Sequence, residues 1–124
     1  MLGKLLGLAS EVSAEEVKNQ FGPILLDDEE VQIGFRVIRD IFIFTDRRLL
    51  LIDKQGLTGR KAEYHTIPYS SITHFSTESA GTFDMDAELK IWIKGMDKPI
   101  QKELKKGINI IGLQKTLAHF VTKK

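Results

Sequence analysis

The sequence predicts one mainly β domain of the α+β class, with seven strands, a C-terminal helix and a short N-terminal helical extension. Two observations carry this prediction. Apolar and polar residues alternate over several short segments, which is the period of strands, whereas the last segment has the period of an amphipathic helix. The 124 residues suffice for a core of ordinary size, so we expect a single domain over residues 1–124.

The N-terminal extension, residues 1–22, begins with a Leu-rich arm, MLGKLLGLAS, and continues into a short helix. Ser13 followed three residues later by Glu16 is the capping-box pattern that starts a helix. Val17 and Phe21 should then face inward from the same side of that helix.

The helix is predicted to end at Gly22-Pro23, with the glycine in a left-handed cap and the proline unable to continue the helix. The acidic run at 27–30 is predicted to be a solvated turn. Val31–Val37 alternates between apolar and other residues, which indicates the first strand.

The segment Ile41–Asp53 is the centre of the predicted sheet. It contains two strands, Ile41–Thr45 and Arg48–Asp53, joined by a turn at Asp46-Arg47. Neither strand alternates, so both faces of this hairpin are apolar and need cover. We expect that cover from a terminal helix or from a second copy of the protein.

Four more strands and the C-terminal helix complete the chain. The helix is predicted over residues 109–122, because apolar residues from Ile110 to Val121 recur on one helical face. The remaining strands are Tyr64–Tyr69, Ile72–Thr77, the alternating segment Leu89–Ile93 and Pro99–Leu104.

Three segments together resemble a family of small bacterial pleckstrin-homology-like proteins, over roughly residues 23–122. They are TDRRLLLIDKQGLTGRK (Thr45–Lys61), YHTIPYSSITHFSTESAG (Tyr64–Gly81) and FDMDAELKIWIKG (Phe83–Gly95). The resemblance implies an open barrel of seven strands capped by the C-terminal helix. It also implies a closed homo-oligomeric ring, a pentamer for a single-domain member, with a polar surface between neighbouring subunits that holds another protein.

We therefore predict a non-enzymatic assembly module that forms a ring and presents a polar surface to a protein partner. The side chain of Trp92 is on the opposite face of its strand from that of Ile91. It is either an interface anchor or covered by the N-terminal helix. The predicted oligomer contacts are Ile41, Phe42, Ile43, Phe44, Leu50, Ile52 and Trp92. The predicted partner-binding residues are Thr58, Arg60, Ser76, Thr77, Glu78, Asp84 and Asp86.

Composition argues against several other functions. A net charge of +1 gives no field that would attract nucleic acid. Phosphoinositide binding is not expected, because the loop after the first strand offers only Arg36 and Arg39 to phosphate groups. The chain has no cysteine and its three histidines lack ligand spacing, so no metal, cofactor or catalytic site is predicted.

Two alternatives remain open. The Leu2–Leu8 arm could lie on a bilayer with Lys4 at the headgroups, which would make the protein a peripheral membrane-binding module. The basic pairs Arg47-Arg48 and Arg60-Lys61 fit either an anion site or solvated turns that protect sheet edges. No apolar run approaches the ~20 residues of a spanning helix, and we expect a cytoplasmic protein.

Overall fold

The structure is a computed structural model that describes residues 11–37, 40–55, 60–78, 87–104 and 110–122. The described residues form two compact units, one up to Pro68 and one from Tyr69 onward. Each unit is built on one antiparallel sheet.

The first unit contains five strands and one helix. A 3₁₀ turn, Gly22–Ile24, follows the helix. The elements are β1 (Glu11–Val12), α1 (Ala14–Phe21), β2 (Val31–Val37), β3 (Asp40–Thr45), β4 (Arg48–Gln55) and β5 (Lys61–Pro68).

The second unit contains three strands and one helix. It starts with a 3₁₀ turn, Tyr69–Ser71, and its sheet has β7 in the centre. The elements are β6 (Ile72–Glu78), β7 (Ala87–Ile93), β8 (Ile100–Leu104) and α2 (Ile110–Val121).

All seven predicted strands are present among the described residues, and their order in the two sheets follows the chain. The two-residue strand β1, which pairs Glu11 with Phe35, was not predicted. Strand β5 begins at Lys61 rather than at Tyr64 and pairs with β4 over its whole length. The predicted hairpin turn at Asp46-Arg47 is confirmed.

Helix α1 begins as predicted and ends differently. The Glu16 backbone N–H donates to Ser13 Oγ at 3.1 Å, and the Glu16 carboxylate accepts from the Ser13 backbone, so the capping box is complete. Val17 and Phe21 are buried, also as predicted. The prediction of a left-handed cap is wrong, because Gly22 has φ −49° and is right-handed helical. The chain continues from Gly22 into the 3₁₀ turn, and Pro23 is accommodated at the start of that turn.

The β3–β4 hairpin is buried on both faces within the single chain. On one face Ile41, Ile43, Leu50 and Ile52 form a core cluster with the helix residue Val17. The side chains on the opposite face, those of Phe42, Phe44, Leu49 and Leu51, are at most 3% exposed. The hairpin therefore does not need a second copy of the protein for cover.

This burial corrects the reasoning behind the predicted oligomer contacts. A side chain can make an oligomer contact only if the folded subunit leaves it exposed, and six of the seven proposed contacts are at most 3% exposed. Trp92, which is half-buried, is the exception. The buried six are Ile41, Phe42, Ile43, Phe44, Leu50 and Ile52. The ring itself stays a prediction.

Helix α1 approaches the sheet closely at Gly34. A Cβ atom on Gly34 would lie 3.1 Å from Val17 Cγ2 and 3.4 Å from the Val12 carbonyl oxygen. A glycine at this position thus lets the helix lie directly on strands β2 and β3, where Gly34 pairs with Ile43.

A polar cluster joins the segment before β2 to the β3–β4 turn. Glu29 is 4% exposed, and its two carboxylate oxygens accept from Arg48 Nε and Nη2, both at 2.8 Å. Thr45 Oγ1 donates to Glu29 Oε2 at 2.6 Å, and the Leu26 backbone N–H donates to Oε1 at 3.1 Å. Arg48 also donates to the Ile24 carbonyl at 2.9 Å. The prediction of a fully solvated acidic turn is wrong at Glu29.

The neighbouring pair of Asp28 with Arg47 is also an ion pair between a carboxylate and a guanidinium group, but it is exposed to solvent. The side chains of Arg47 and Asp28 are 46% and 73% exposed, whereas those of Arg48 and Glu29 are 15% and 0% exposed. Exposed ion pairs contribute little to stability, while a buried pair that loses one partner leaves an unpaired charge in the interior.

Hydrogen bonding controls the pKa of Glu29. Burial alone raises the pKa, but hydrogen bonds from Arg48, Thr45 and the Leu26 N–H outweigh it and lower the pKa to about 2. The carboxylate therefore stays charged at any pH at which the protein is normally handled.

The second unit buries apolar residues of both its sheet and its helix α2. Leu89 and Ile91 of β7 are fully buried, as are Leu113 and Leu117 of the helix. At the helix C-terminal end, the Phe120 ring stacks on Tyr69 with centroids 5.0 Å apart, beside the start of β6. The predicted apolar face of the helix is thus confirmed at its two central leucines.

Replacing Gly34 by valine is expected to lower the free energy of unfolding by about 1–3 kcal/mol, because the new side chain must displace Val17. Urea unfolding followed by circular dichroism measures the change. Gly22→Ala is the matched control: no atom lies within 4 Å of a Cβ there and the backbone is right-handed helical, so stability should not fall.

Glu29→Ala is expected to destabilise the fold by about 3 kcal/mol or more, since the largely buried charge of Arg48 would lose the carboxylate that balances it. Asp28→Ala, which removes the exposed pair next to it, should change stability by less than about 0.5 kcal/mol. Equal effects of the two substitutions in urea unfolding would show that the cluster does not stabilise the fold.

Stability is also expected to depend on pH through Glu29. Its pKa is lowered from 4.5 to about 2 on folding, so its contribution is complete above pH 4.5 and is lost as the pH falls towards 2. The size of the shift corresponds to roughly 3 kcal/mol. The stability difference between wild type and Glu29→Gln, measured in urea at several pH values, should shrink across this window. A constant difference would contradict the assignment.

Candidate functional site

Two surface features of the described residues are candidates for function. The first is the outer face of the second sheet, which we define as the side opposite the buried residues Leu89 and Ile91. Because side chains alternate along a strand, this face consists of His74, Ser76, Glu78, Glu88, Lys90, Trp92, Gln101 and Glu103.

A row of three glutamates crosses one end of the outer face. Glu88 lies directly opposite Glu78 on one side and Glu103 on the other. Gln101 Nε2 donates to Glu88 Oε2 at 2.5 Å, and Lys90 Nζ lies 3.8 Å from Glu88 Oε1. Like charges at opposite positions destabilise a sheet, so folding alone does not favour this arrangement.

An aromatic pair occupies the other end of the outer face. His74 and Trp92 are opposite each other on β6 and β7, and their rings are stacked with centroids 4.3 Å apart. His74 is exposed and Trp92 is half-buried. Two places were predicted for Trp92, and the structure puts it on the outer face beside His74, for which no role was predicted.

Three of the predicted partner-binding residues line one depression of about 450 Å³, together with Glu88 and Lys90. They are Ser76, Thr77 and Glu78. The Thr77 side chain is engaged within the unit, because its Oγ1 accepts from Gln114 Nε2 of helix α2 at 3.2 Å. This depression combines hydroxyl, carboxylate and ammonium groups, which suits hydrogen bonding to another protein.

Of the other four predicted partner-binding residues, the structure describes one. Arg60 belongs to the first unit and is exposed just before β5. Thr58, Asp84 and Asp86 lie outside the described residues.

The second candidate feature is an apolar groove on the first unit. It has a volume of about 390 Å³ and is lined by Gln20, Phe21, Pro23, Ile24 and Tyr64. Tyr64 is 51% exposed, which is high for a large aromatic residue of a strand. Its partner Ile52 lies in the core cluster under α1, so the groove opens where that cluster meets solvent.

The groove runs beside an open sheet edge. In the described sheet β5 is hydrogen-bonded to β4 alone, so one side of an eight-residue strand has no strand neighbour. At the opposite edge β1 pairs only with Gly34 and Phe35 of the seven-residue strand β2. Open edges of this length accept further strands readily.

The groove was not predicted, because its residues come from a helix end, a 3₁₀ turn and a strand. One face of β5 carries Ala62, Tyr64 and Thr66. A tyrosine between two small residues on a strand is the one local sign of the groove in the sequence.

The described residues contain no group of three His, Asp or Glu side chains that could hold a metal ion. Within the same ranges, no helix has the length and apolar character required to cross a bilayer.

Comparison with known proteins gives a consistent result. A family described as Bacterial PH domain matches residues 1–121. Uncharacterized protein YjqA of Bacillus subtilis (strain 168) is 50% identical over 115 residues, which is 92% of each chain.

The solved structures that are similar to this chain include two from Shewanella species. A pleckstrin homology domain from Shewanella amazonensis SB2B has 53% identity and a TM-score of 0.82, covering 97% of both chains. A protein with a pleckstrin-homology domain from Shewanella loihica PV-4 has 56% identity and a TM-score of 0.77, covering 90% of this chain and 96% of that one. The predicted pleckstrin-homology-like fold is therefore confirmed.

Glu103→Gln is expected to stabilise the protein by roughly 0.2–1 kcal/mol, because it removes a carboxylate opposite Glu88. The gain should shrink in 1 M salt, where the Debye length falls to about 3 Å. Thermal unfolding at low and high salt measures both effects. A loss of stability would mean that the glutamate row is not repulsive.

Proposed function

The chain belongs to the bacterial PH domain family, and on that premise we propose that it is a non-enzymatic protein-binding module that assembles with its own copies into a closed ring. The observation that carries this proposal is the open edge of β5 next to the groove at Tyr64.

The two open edges of the first sheet favour contact between copies. Within the described residues, one edge is β5, with Tyr64 and the groove beside it, and the other is the part of β2 beyond its two pairs with β1. These are different surfaces, so a contact that joins them is heterologous. Repeated heterologous contacts form a ring when the rotation closes, and we propose five subunits.

A contact at the sheet edges replaces the hairpin contact that the sequence suggested. The hairpin side chains are already buried, whereas β5 has β4 as its only strand neighbour in the described sheet and Tyr64 is 51% exposed. Backbone pairing gives affinity in such contacts and the neighbouring side chains give specificity.

The outer face of the second sheet is proposed as the surface for the protein partner. Trp92 and His74 provide an aromatic contact of the kind that anchors interfaces, and the depression at Ser76 and Lys90 provides hydrogen-bonding groups around it. The glutamate row, which is repulsive in the isolated sheet, would be compensated by a partner.

Native mass spectrometry tests the assembly. The wild type is expected at about 70 kDa, five times the 14.0 kDa of one chain. Tyr64→Ser should shift the population to smaller species, because it removes the exposed ring at the edge. Glu63→Ser changes the adjacent exposed residue on the other face of β5 and should leave the assembly intact. A wild-type protein that remains monomeric at high concentration would contradict the ring.

A further inference from the structure

We propose that the groove at Phe21 and Tyr64 holds the Leu-rich arm, residues 1–10, of the neighbouring copy in the ring. This inference rests on the proposed ring and goes further, because it assigns an occupant to the groove and a role to the arm. Neither the family match nor the similar proteins assign one.

The groove has the chemistry for an apolar segment. The lining combines the buried Phe21 and the partly buried Ile24 with the exposed residues Pro23 and Tyr64. Gln20 contributes the one polar side chain of the lining. An apolar segment that entered the groove would cover this lining and lose its own contact with water.

The arm is the most apolar stretch that lies outside the described residues. Four of its ten residues are leucine, its single charge is Lys4, and two glycines allow it to adopt an extended path. The leucines are Leu2, Leu5, Leu6 and Leu8. A segment of this composition is favoured to cover an apolar surface rather than to stay in solvent.

The starting point of the arm favours the groove of the neighbouring copy over that of its own chain. The arm precedes Glu11, which pairs with Phe35 at the β1 side of the sheet. The groove lies at the β5 side, four strand spacings or about 19 Å away in the same chain. Helix α1 lies on the intervening face over Ile43 and Leu50, so the direct route within one chain is occupied.

In the proposed ring, the distance from the start of the arm to the groove of the adjacent copy is much shorter than the distance within one chain. Where β5 of one copy meets the β1 side of the next, the neighbour's arm begins about one strand spacing from the groove. Ten extended residues reach about 33 Å, which is ample for the arm to lie along the groove of the adjacent copy. The arm would then connect consecutive subunits in the same direction around the ring.

Disulfide trapping tests this inference directly, because the chain has no native cysteine. One population carries Leu5→Cys in the arm and a second carries Gln20→Cys at the groove. The two are mixed, allowed to exchange subunits and oxidised gently. We expect a heterodimer between them, in several-fold excess over the product obtained with Asp97→Cys, an exposed residue of the β7–β8 turn, in place of Gln20→Cys. Adding Tyr64→Ser to the Gln20→Cys chain should reduce the product.

The remaining outcomes separate this inference from the ring. A ring by native mass spectrometry with trapping no higher than the Asp97→Cys control would overturn the arm exchange and leave the ring intact. Trapping in a protein whose largest assembly is a dimer would retain the exchange and contradict the ring. A disulfide that forms only within a chain carrying both cysteines would place the arm in its own groove and overturn the inference.

Binding to a bilayer is the competing use of the arm. Vesicles of phosphatidylethanolamine and phosphatidylglycerol should not retain the assembled protein, because the arm is enclosed between subunits. Retention that disappears when residues 1–9 are deleted, combined with control-level trapping, would assign the arm to a membrane surface instead.

Discussion

The structure depends on a hairpin that is apolar on both faces. A sheet that buries only one face carries polar residues on the other face. Strands β3 and β4 are apolar on both faces, so they need a covering layer on each side. Helix α1 supplies one of these layers at Ile41, Ile43, Leu50 and Ile52, and it approaches the sheet closely because residue 34 is a glycine. Since the hairpin is covered within one chain, surfaces elsewhere on the molecule are left for binding.

The Glu29–Arg48 pair stabilises the helical layer through charge rather than through apolar contact. It holds the segment between α1 and β2 against the hairpin turn, and every buried side-chain nitrogen or oxygen within the described residues has a partner. A buried ion pair is costly to form and more costly to break, because the loss of one partner leaves an unpaired charge in the interior. The adjacent Asp28–Arg47 pair, exposed to solvent, has no such effect.

Local patterns predicted most of the fold. The capping box at Ser13, the alternation in β2 and β7 and the period of α2 each specify structure through neighbours in sequence, and each is confirmed. Strand β1 was missed because two residues carry no period. The prediction that Glu29 is solvated failed because its partner, Arg48, lies 19 positions away in the sequence. No local pattern reveals such a pairing.

At the candidate surfaces, too, some features were predicted from the sequence, whereas others depend on residues that meet only in the folded chain. Ser76 and Glu78 were predicted and line one depression in the structure, but the opposition of Glu88 to Glu103 follows from the register of β7 with β8, which no local sequence pattern shows. The groove at Tyr64 depends on a helix end and a strand edge that meet only in the folded chain.

Hydrogen–deuterium exchange, measured below and above the concentration at which copies associate, tests the central claim most directly. The claim is that each chain covers its own hairpin and offers its β5 edge to other copies. Amides of residues 41–52 should be equally protected at both concentrations, whereas amides of β5 should gain protection only on association. Loss of protection in the hairpin on dilution, with β5 unchanged, would contradict the account.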